Sequence, residues 1–335
     1  MMTIGTKKIG DTHPTYIIAE IGINYNGKFD LALKMIEVAK AAKVDAVKVQ
    51  IIDADKSYAR SSASYDIFKK VQMSLDDWRK IAVYAREIGM DMFATFTHPD
   101  DIAIAEEFQF PAIKISSSNL TNFLLLKAAS RAGKPLIVST GLSYLSEVDE
   151  AVRYLEAQGQ KDIALLHCTS LYPAPAETVH LRAMNTLQAA FPRYPVGLSD
   201  HTMGLHCSVA AVALGARILE KHFTLDRAME GPDHHFSATP QELAELVCAV
   251  HEVERALGSA TKQPVTQELP EREKLQRKLV ALKDIGSGEP YTSENIGAKR
   301  ASGGGLSPKY FEVFLGKCAR NNIKKDEAIK FDMIG

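Results

Sequence analysis

The sequence predicts a closed (β/α)8 barrel of the TIM type followed by a small, mostly β domain. Three observations carry that expectation. Between Thr15 and about Gly258, eight strand-like runs alternate with amphipathic stretches, a pattern that favours a closed barrel over a doubly wound sheet. The GxGxxG turn that a dinucleotide-binding sheet places after its first strand is absent. After Gly258 the composition changes: 259–274 is polar and proline-containing and reads as a linker, and 275–335 holds only short strand-like runs between turns. The expected division is therefore a barrel over 1–258, a linker over 259–274 and a β domain over 275–335.

Taken in order, the strand candidates are 15–21, 45–52, 91–97, 112–117, 135–141, 163–169, 194–200 and 216–223. Each is a short apolar run, as strands covered on both faces require. Helices are expected at LALKMIEVAKAAK (31–43), LDDWRKIAVYAREIG (75–89) and LSEVDEAVRYLEAQG (145–159), where apolar residues recur three and four positions apart. Ser74 and Ser146 are the expected N-caps, and Gly89 and Gly133 the expected stops. Trp78 reads as a packing residue. The C-terminal stretch contains KLVALKDI and AIKFDMI, and its Gly303-Gly304-Gly305 is too irregular for a phosphate loop. A unit that small is marginal alone and is expected to lean on the barrel or on a partner subunit.

Composition excludes several classes. The chain has 335 residues, 46% hydrophobic, with a formal net charge of −1. That balance argues against a general nucleic-acid or membrane-surface binder. Cys168, Cys207, Cys248 and Cys318 are scattered, mostly in apolar runs, and are expected to be reduced core thiols. The N-terminal MMTIGTKKIGDTH has no apolar signal core and no run reaches membrane-spanning length, so a soluble cytoplasmic protein is expected.

In a barrel of this kind, polar residues at the C-terminal strand ends read as catalytic. The stretch VGLSDH…ARILEKHF carries His201 and His222 to matching ends of successive strands. Two neutral imidazoles there suit Mn, Fe, Co or Zn, and no HExxH or paired CxxC suggests a structural zinc site instead. Lys48 and Gln50 share one strand face, and Lys114 and Ser116 share another. Two lysines with hydroxyls from Thr95, Ser117 and Ser139 suit a small phosphorylated and carboxylated anion. Alternatively, each lysine pairs with a buried carboxylate such as Glu20 or Glu220, or one is a Schiff-base nucleophile. Glu20 ends the first strand, where partial desolvation would raise its pKa into the range useful for proton transfer. His234 and His235 read as solvated or substrate-facing.

At this point the motifs AEIGINYNG (19–27), DAVKVQ (45–50), IKISSSNLTN (113–122), GKPLIVSTG (133–141), LLHCTSLYPAP (165–175), GLSDHTMG (197–204) and LEKHFTLDRAMEGPDHHFS (219–237) resemble sialic acid synthases. These belong to the nonulosonic acid synthases, and the resemblance extends to a C-terminal antifreeze-like (SAF) domain. It implies a carbon–carbon bond-forming transferase that condenses phosphoenolpyruvate (PEP) with an N-acetylmannosamine-type amino sugar and releases phosphate. It implies a divalent metal, manganese with magnesium or cobalt as alternatives, held by His201 and His222. Lys48, Thr95, Lys114, Ser117, Ser139 and Ser199 would bind PEP, and Glu20 would handle protons. Gln50, Tyr172 and Asp233 would face the sugar, and Arg300 would reach its N-acyl group from a neighbouring subunit in a domain-swapped homodimer. The chain departs from the family pattern at Tyr25, Asn119 and Ser170, three positions expected near the sugar pocket. Legionaminic, pseudaminic or spore-coat sugar acids are therefore alternative products, and a non-catalytic glycan-binding protein is the alternative of a different class.

Overall fold

In the computed structural model, which describes residues 2–335, eight parallel strands close into a barrel. They are β1 (Tyr16–Gly22), β2 (Ala46–Gln50), β3 (Asp91–Thr95), β4 (Ile113–Ile115), β5 (Leu136–Ser139), β6 (Ile163–Cys168), β7 (Val196–Asp200) and β8 (Ile218–His222). Each lies within or overlaps the run expected from the sequence. β8 pairs back onto β1 with His222 opposite Glu20, which closes the ring. The register then sets Glu20 beside Lys48, Gln50 beside Thr95, Thr95 beside Lys114 and Ser199 beside Glu220. Register alone thus collects the polar strand residues at one end of an otherwise apolar core.

The helices form the outer layer for the reason the periodicity gives. Phe29–Ala41 buries Ala32, Met35, Ile36 and Ala39, one stripe of a 3.6-residue period. Ser74 caps Leu75–Glu87, accepting from the Asp77 N–H at 3.1 Å, and Trp78 is buried edge-to-face against Tyr25. Ser146 does not cap its helix. Leu145–Ala157 begins earlier, with Tyr144 at the N-cap, and the Glu147 carboxylate accepts the Tyr144 N–H at 2.7 Å. Ser146 lies inside the first turn. Instead of a cap hydroxyl accepting from the first turn, the acidic residue three positions after the cap reaches back to the N–H of the cap residue.

An N-terminal hairpin, Met2–Ile4 with Lys7–Ile9, was not foreseen. Its Ile4 and Ile9 are fully buried in the barrel core cluster, Lys7 pairs with Asp45 before β2, and Gly5 sits against the Asp91 carboxylate at the start of β3. The hairpin therefore covers the N-terminal end of the barrel.

The chain divides into two compact units, Met1–Gly258 and Ser259–Gly335. The 259–274 stretch is not a bare linker: it contains the turn Thr266–Glu268 and most of a helix, Leu269–Leu275, with Pro270 in its first turn, where a missing N–H costs nothing. The second unit has its own core of Leu279, Ile285, Tyr291, Ile296, Phe314 and Ile329 around two antiparallel strands, β9 (Lys278–Ala281) and β10 (Ile296–Lys299). All four cysteines are free, but only Cys168 is a core thiol. Cys207 is half-buried and Cys248 exposed on their helices, where apolar neighbours in sequence do not share a face, and Cys318 is exposed at an isolated bridge with Pro290. No helix among the described residues is long and apolar enough to cross a membrane.

Candidate active site

A cavity of about 390 Å³ opens at the C-terminal end of the barrel. Its floor is a buried charge network. Lys48 Nζ lies 2.9 Å from Glu20 and 3.7 Å from Glu220, Lys114 Nζ lies 3.3 Å from Glu220, and each of these side chains is at most 4% exposed. Lys48 also donates to Thr95 Oγ1 at 2.9 Å, and Ser199 donates to Glu220 at 2.8 Å. The lysines are thus paired with both carboxylates, the arrangement the sequence left as an alternative to anion binding. Pairing does not exhaust the site, however: Ser139 Oγ, Glu20 Oε2 and Glu220 Oε2 are buried with no hydrogen-bond partner. Unsatisfied buried polar atoms that line a cavity are what a polar ligand would satisfy.

The two carboxylates are driven in opposite directions. Burial raises Glu20, with Lys48 only partly opposing it. Burial also pushes on Glu220, but Lys114 and Lys48 outweigh it and hold that group down to about 2. Glu220 is therefore held as an anion, and Glu20 is the more readily protonated of the two, a separation of the kind that acid–base partners show. Burial keeps Lys114 below its ordinary value despite Glu220, whereas for Lys48 Glu20 and Glu220 together outweigh burial and raise it.

On the wall formed by β7 and β8, the rings of His201 and His222 sit 5.3 Å apart between centroids. His201 Nδ1 donates to the Thr169 carbonyl at 2.7 Å, so Nε2 carries the lone pair once the ring is neutral. Burial pushes the His201 pKa down, but Cys168 and then the Thr169 carbonyl outweigh it and raise it above the ordinary value. Without a cation the ring therefore holds its proton more firmly than His222 does. Burial, then the charge of His201, holds His222 well below its ordinary value, so it is neutral, and its Nδ1 is buried without a partner. Such a pair fits a divalent cation. Among the described residues no third His, Cys, Asp or Glu completes a ligand set, so the other ligands would be substrate or water oxygens. Asp233 approaches His222 Nδ1 at 3.7 Å and is pushed up to about 6 by burial and then by Glu20. Gly22 adopts φ +58° at the β1 bulge, with Glu20, Asp233 and Gln50 packed where a Cβ would stand.

Of the expected site residues, Glu20, Lys48, Gln50, Thr95, Lys114, Ser117, Ser139, Tyr172, Ser199, His201 and His222 line this one cavity. Gln50 donates to Glu20 at 3.0 Å, Ser117 Oγ accepts from the Gly141 N–H at 3.1 Å, and the Tyr172 ring lies 4.2 Å from that of His201. Arg300 belongs to the second unit, exposed beside a hollow that Glu273 and Lys274 also line. Three expectations change. Tyr25 is a core residue against Trp78, and Asn119 is tied to Ser116 and Asn122, so of the three departures only Ser170 lines the cavity. His234 is buried between Thr224 and Asn26 rather than solvated, while His235 is exposed. Two features were missed: Glu220 as the shared anion, and an apolar wall of Ile52, Tyr58 and Phe68, the last two stacked 5.0 Å apart. The signal for the wall is spacing, since forty residues separate Gln50 from Asp91, too many for one helix and its loops.

Comparison with known proteins identifies the family of both parts of the chain. Residues 35–262 match the NeuB family and residues 276–335 the SAF domain. The chain belongs to the NeuB family. This NeuB-family enzyme is 38% identical to the N,N'-diacetyllegionaminic acid synthase of Campylobacter jejuni, over 94% of this chain and 99% of that protein. It is 34% identical to human N-acetylneuraminate-9-phosphate synthase, over 97% and 94% of the two chains. Its fold matches the crystal structure of the Leptospira borgpetersenii N-acetylneuraminic acid synthetase in complex with citrate, with a TM-score of 0.77, 33% identity and coverage of 82% of this chain and 96% of that one.

Proposed function

We propose that this NeuB-family enzyme condenses PEP with an N-acyl amino sugar of the N-acetylmannosamine type, releasing phosphate and yielding a nonulosonic acid. The observation that carries the reading is the joining, in one cavity, of a lysine–hydroxyl floor and an imidazole pair. Lys48, Lys114, Thr95, Ser117, Ser139 and Ser199 would hold the phosphate and carboxylate of PEP. Gln50, Tyr172 and Asp233 would position the open-chain sugar, with Arg300 reaching the N-acyl group across a domain-swapped homodimer. A divalent cation on His201 and His222, manganese with magnesium or cobalt as alternatives, would supply Lewis acidity at the sugar aldehyde.

In the reaction, C3 of PEP forms a bond to the aldehyde carbon and positive charge grows at C2. Glu220, an anion fixed in place before that charge develops, would offset it, while Lys48 and Lys114 would offset the negative charges of the PEP phosphate and carboxylate. As the aldehyde C=O opens, its oxygen would take the proton held on Glu20; water then adds at C2 and returns a proton to Glu20. The C2–O bond to phosphate breaks as the C2 hydroxyl gives its proton to the departing phosphate, leaving the 2-keto acid. The exposed, unpaired Cys248 and Cys318 support a reducing, cytoplasmic setting.

The test is phosphate release from PEP by chelator-stripped enzyme, with and without manganese, against N-acetylmannosamine and diacetamido hexoses. Manganese-dependent release with one sugar is expected, and a diacetamido substrate would make the product legionaminic or pseudaminic acid. Glycan binding without PEP turnover would overturn the reading. The lowered pKa of Lys114 favours one other reaction, a Schiff-base aldolase. Borohydride trapping of pyruvate on Lys114 would establish it.

A further inference from the structure

Behind the histidine pair, on the outer face of the barrel, lies an ion pair that the proposed reaction does not use. Asp200 on β7 stands directly opposite Lys221 on β8, and the next residues along the chain are His201 and His222. Side chains alternate along a strand, so Ser199 and Glu220 point into the barrel while Asp200 and Lys221 point outward, under the helix His206–Ala213. Lys221 Nζ donates to Asp200 Oδ2 at 2.9 Å, with the two side chains 2% and 0% exposed. Asp200 Oδ2 also accepts from Ser208 Oγ on that helix at 2.5 Å.

The pair clamps the residue after His201 from both sides. Asp200 Oδ1 accepts the Thr202 N–H at 2.9 Å, and Lys221 Nζ donates to the Thr202 carbonyl at 2.6 Å. The backbone on either side of His201 is thereby tied to the residue that precedes His222. Stability alone does not call for charges here, because well-packed apolar side chains of similar volume commonly serve as well as a buried ion pair, or better. What the charges add is direction: each hydrogen bond fixes an atom of the turn that presents His201.

We propose that Asp200 and Lys221 are positioning residues that hold His201 and His222 at ligand spacing and so set the affinity for a divalent cation. The proposal rests on the reading of that pair as metal ligands. Outer residues hydrogen-bonded directly to metal-binding histidines typically change metal affinity about 10- to 100-fold when replaced. Asp200 and Lys221 act through the backbone of the turn, so the lower end, about tenfold, is expected of them.

The experiment titrates the full-length, metal-free protein with Mn2+ and counts the free ion by electron paramagnetic resonance. The double variant Asp200→Asn/Lys221→Met removes both charges together, so neither is left buried and unpaired. Its dissociation constant for Mn2+ is expected to rise about tenfold over wild type. A purely structural pair would lower the thermal midpoint and leave Mn2+ affinity per folded molecule unchanged, and that result overturns the proposal. Should the double variant not fold, Ser208→Ala removes one partner of Asp200 and keeps both charges. An increase of about threefold in the dissociation constant is expected from it, and no change overturns the proposal. Wild type that takes up no Mn2+ overturns the metal reading itself. Wild type that binds while the variants bind equally well overturns only the positioning role.

Discussion

Lys114 Nζ lies 3.3 Å from Glu220, and neither side chain is more than 4% exposed. Burial pushes the Glu220 carboxyl up, but Lys114 and Lys48 overcome it and hold it down to about 2, below the ordinary 4.5. A carboxyl depressed in the folded state stabilises the fold above its unfolded pKa and loses that contribution as pH falls through the folded value. The stabilisation from Glu220 is thus complete at neutral pH and disappears between about 4.5 and about 2. Glu220→Gln is expected to be destabilised at pH 7, with its deficit shrinking as pH drops through that window. Urea melts at pH 7, 4.5 and 3 measure this, and a deficit independent of pH would refute it.

Lys114→Met tests the anion floor. One charge-assisted hydrogen bond contributes about 1.5–3 kcal/mol, so KM for PEP should rise roughly ten- to hundredfold while KM for the sugar moves little. Steady-state kinetics with each substrate varied in turn separates the two. Equal increases in both would place Lys114 outside the PEP site.

Glu20→Gln tests proton handling. Gln keeps the shape and the contact with Gln50 but carries no transferable proton, so kcat should fall about 10²- to 10⁴-fold. KM for PEP should change far less, because Lys48 retains Glu220 at 3.7 Å. A variant with near-normal kcat would assign the proton to another group.

Phe68→Ala removes half of the stacked aromatic wall. If that wall packs against an acyl or deoxy methyl of the sugar, KM for the acceptor should rise about tenfold, with KM for PEP unchanged. The loss should be greater for a diacetamido sugar than for N-acetylmannosamine. Comparing the two acceptors on wild type and variant decides it.

The barrel was legible because parallel strands covered on both faces leave short apolar runs, and eight of them recur. Most of the floor was legible as well, since charged residues inside such runs, Lys48 and Lys114 among them, stand out against their neighbours. Glu220 was visible only as a possible partner for a lysine; that it serves both at once depends on register across the barrel. Tyr25 and Asn119 misled because proximity to a motif in sequence does not say which way a side chain turns at a strand end. Tyr58 and Phe68 sit on a long excursion after β2 whose return over the cavity no local period encodes.

The hairpin that covers the N-terminal end of the barrel has a kinetic consequence. With Ile4 and Ile9 fully buried and the lysine floor only 3% exposed, the chamber is a blind alley. Tyr172, half exposed, stands at its open side. If PEP occupies the floor and the sugar the mouth, as proposed, the two must queue, PEP entering ahead of the sugar. A sugar that enters first becomes a stopper. Turnover should therefore fall at high acceptor concentration and recover when the anion is raised.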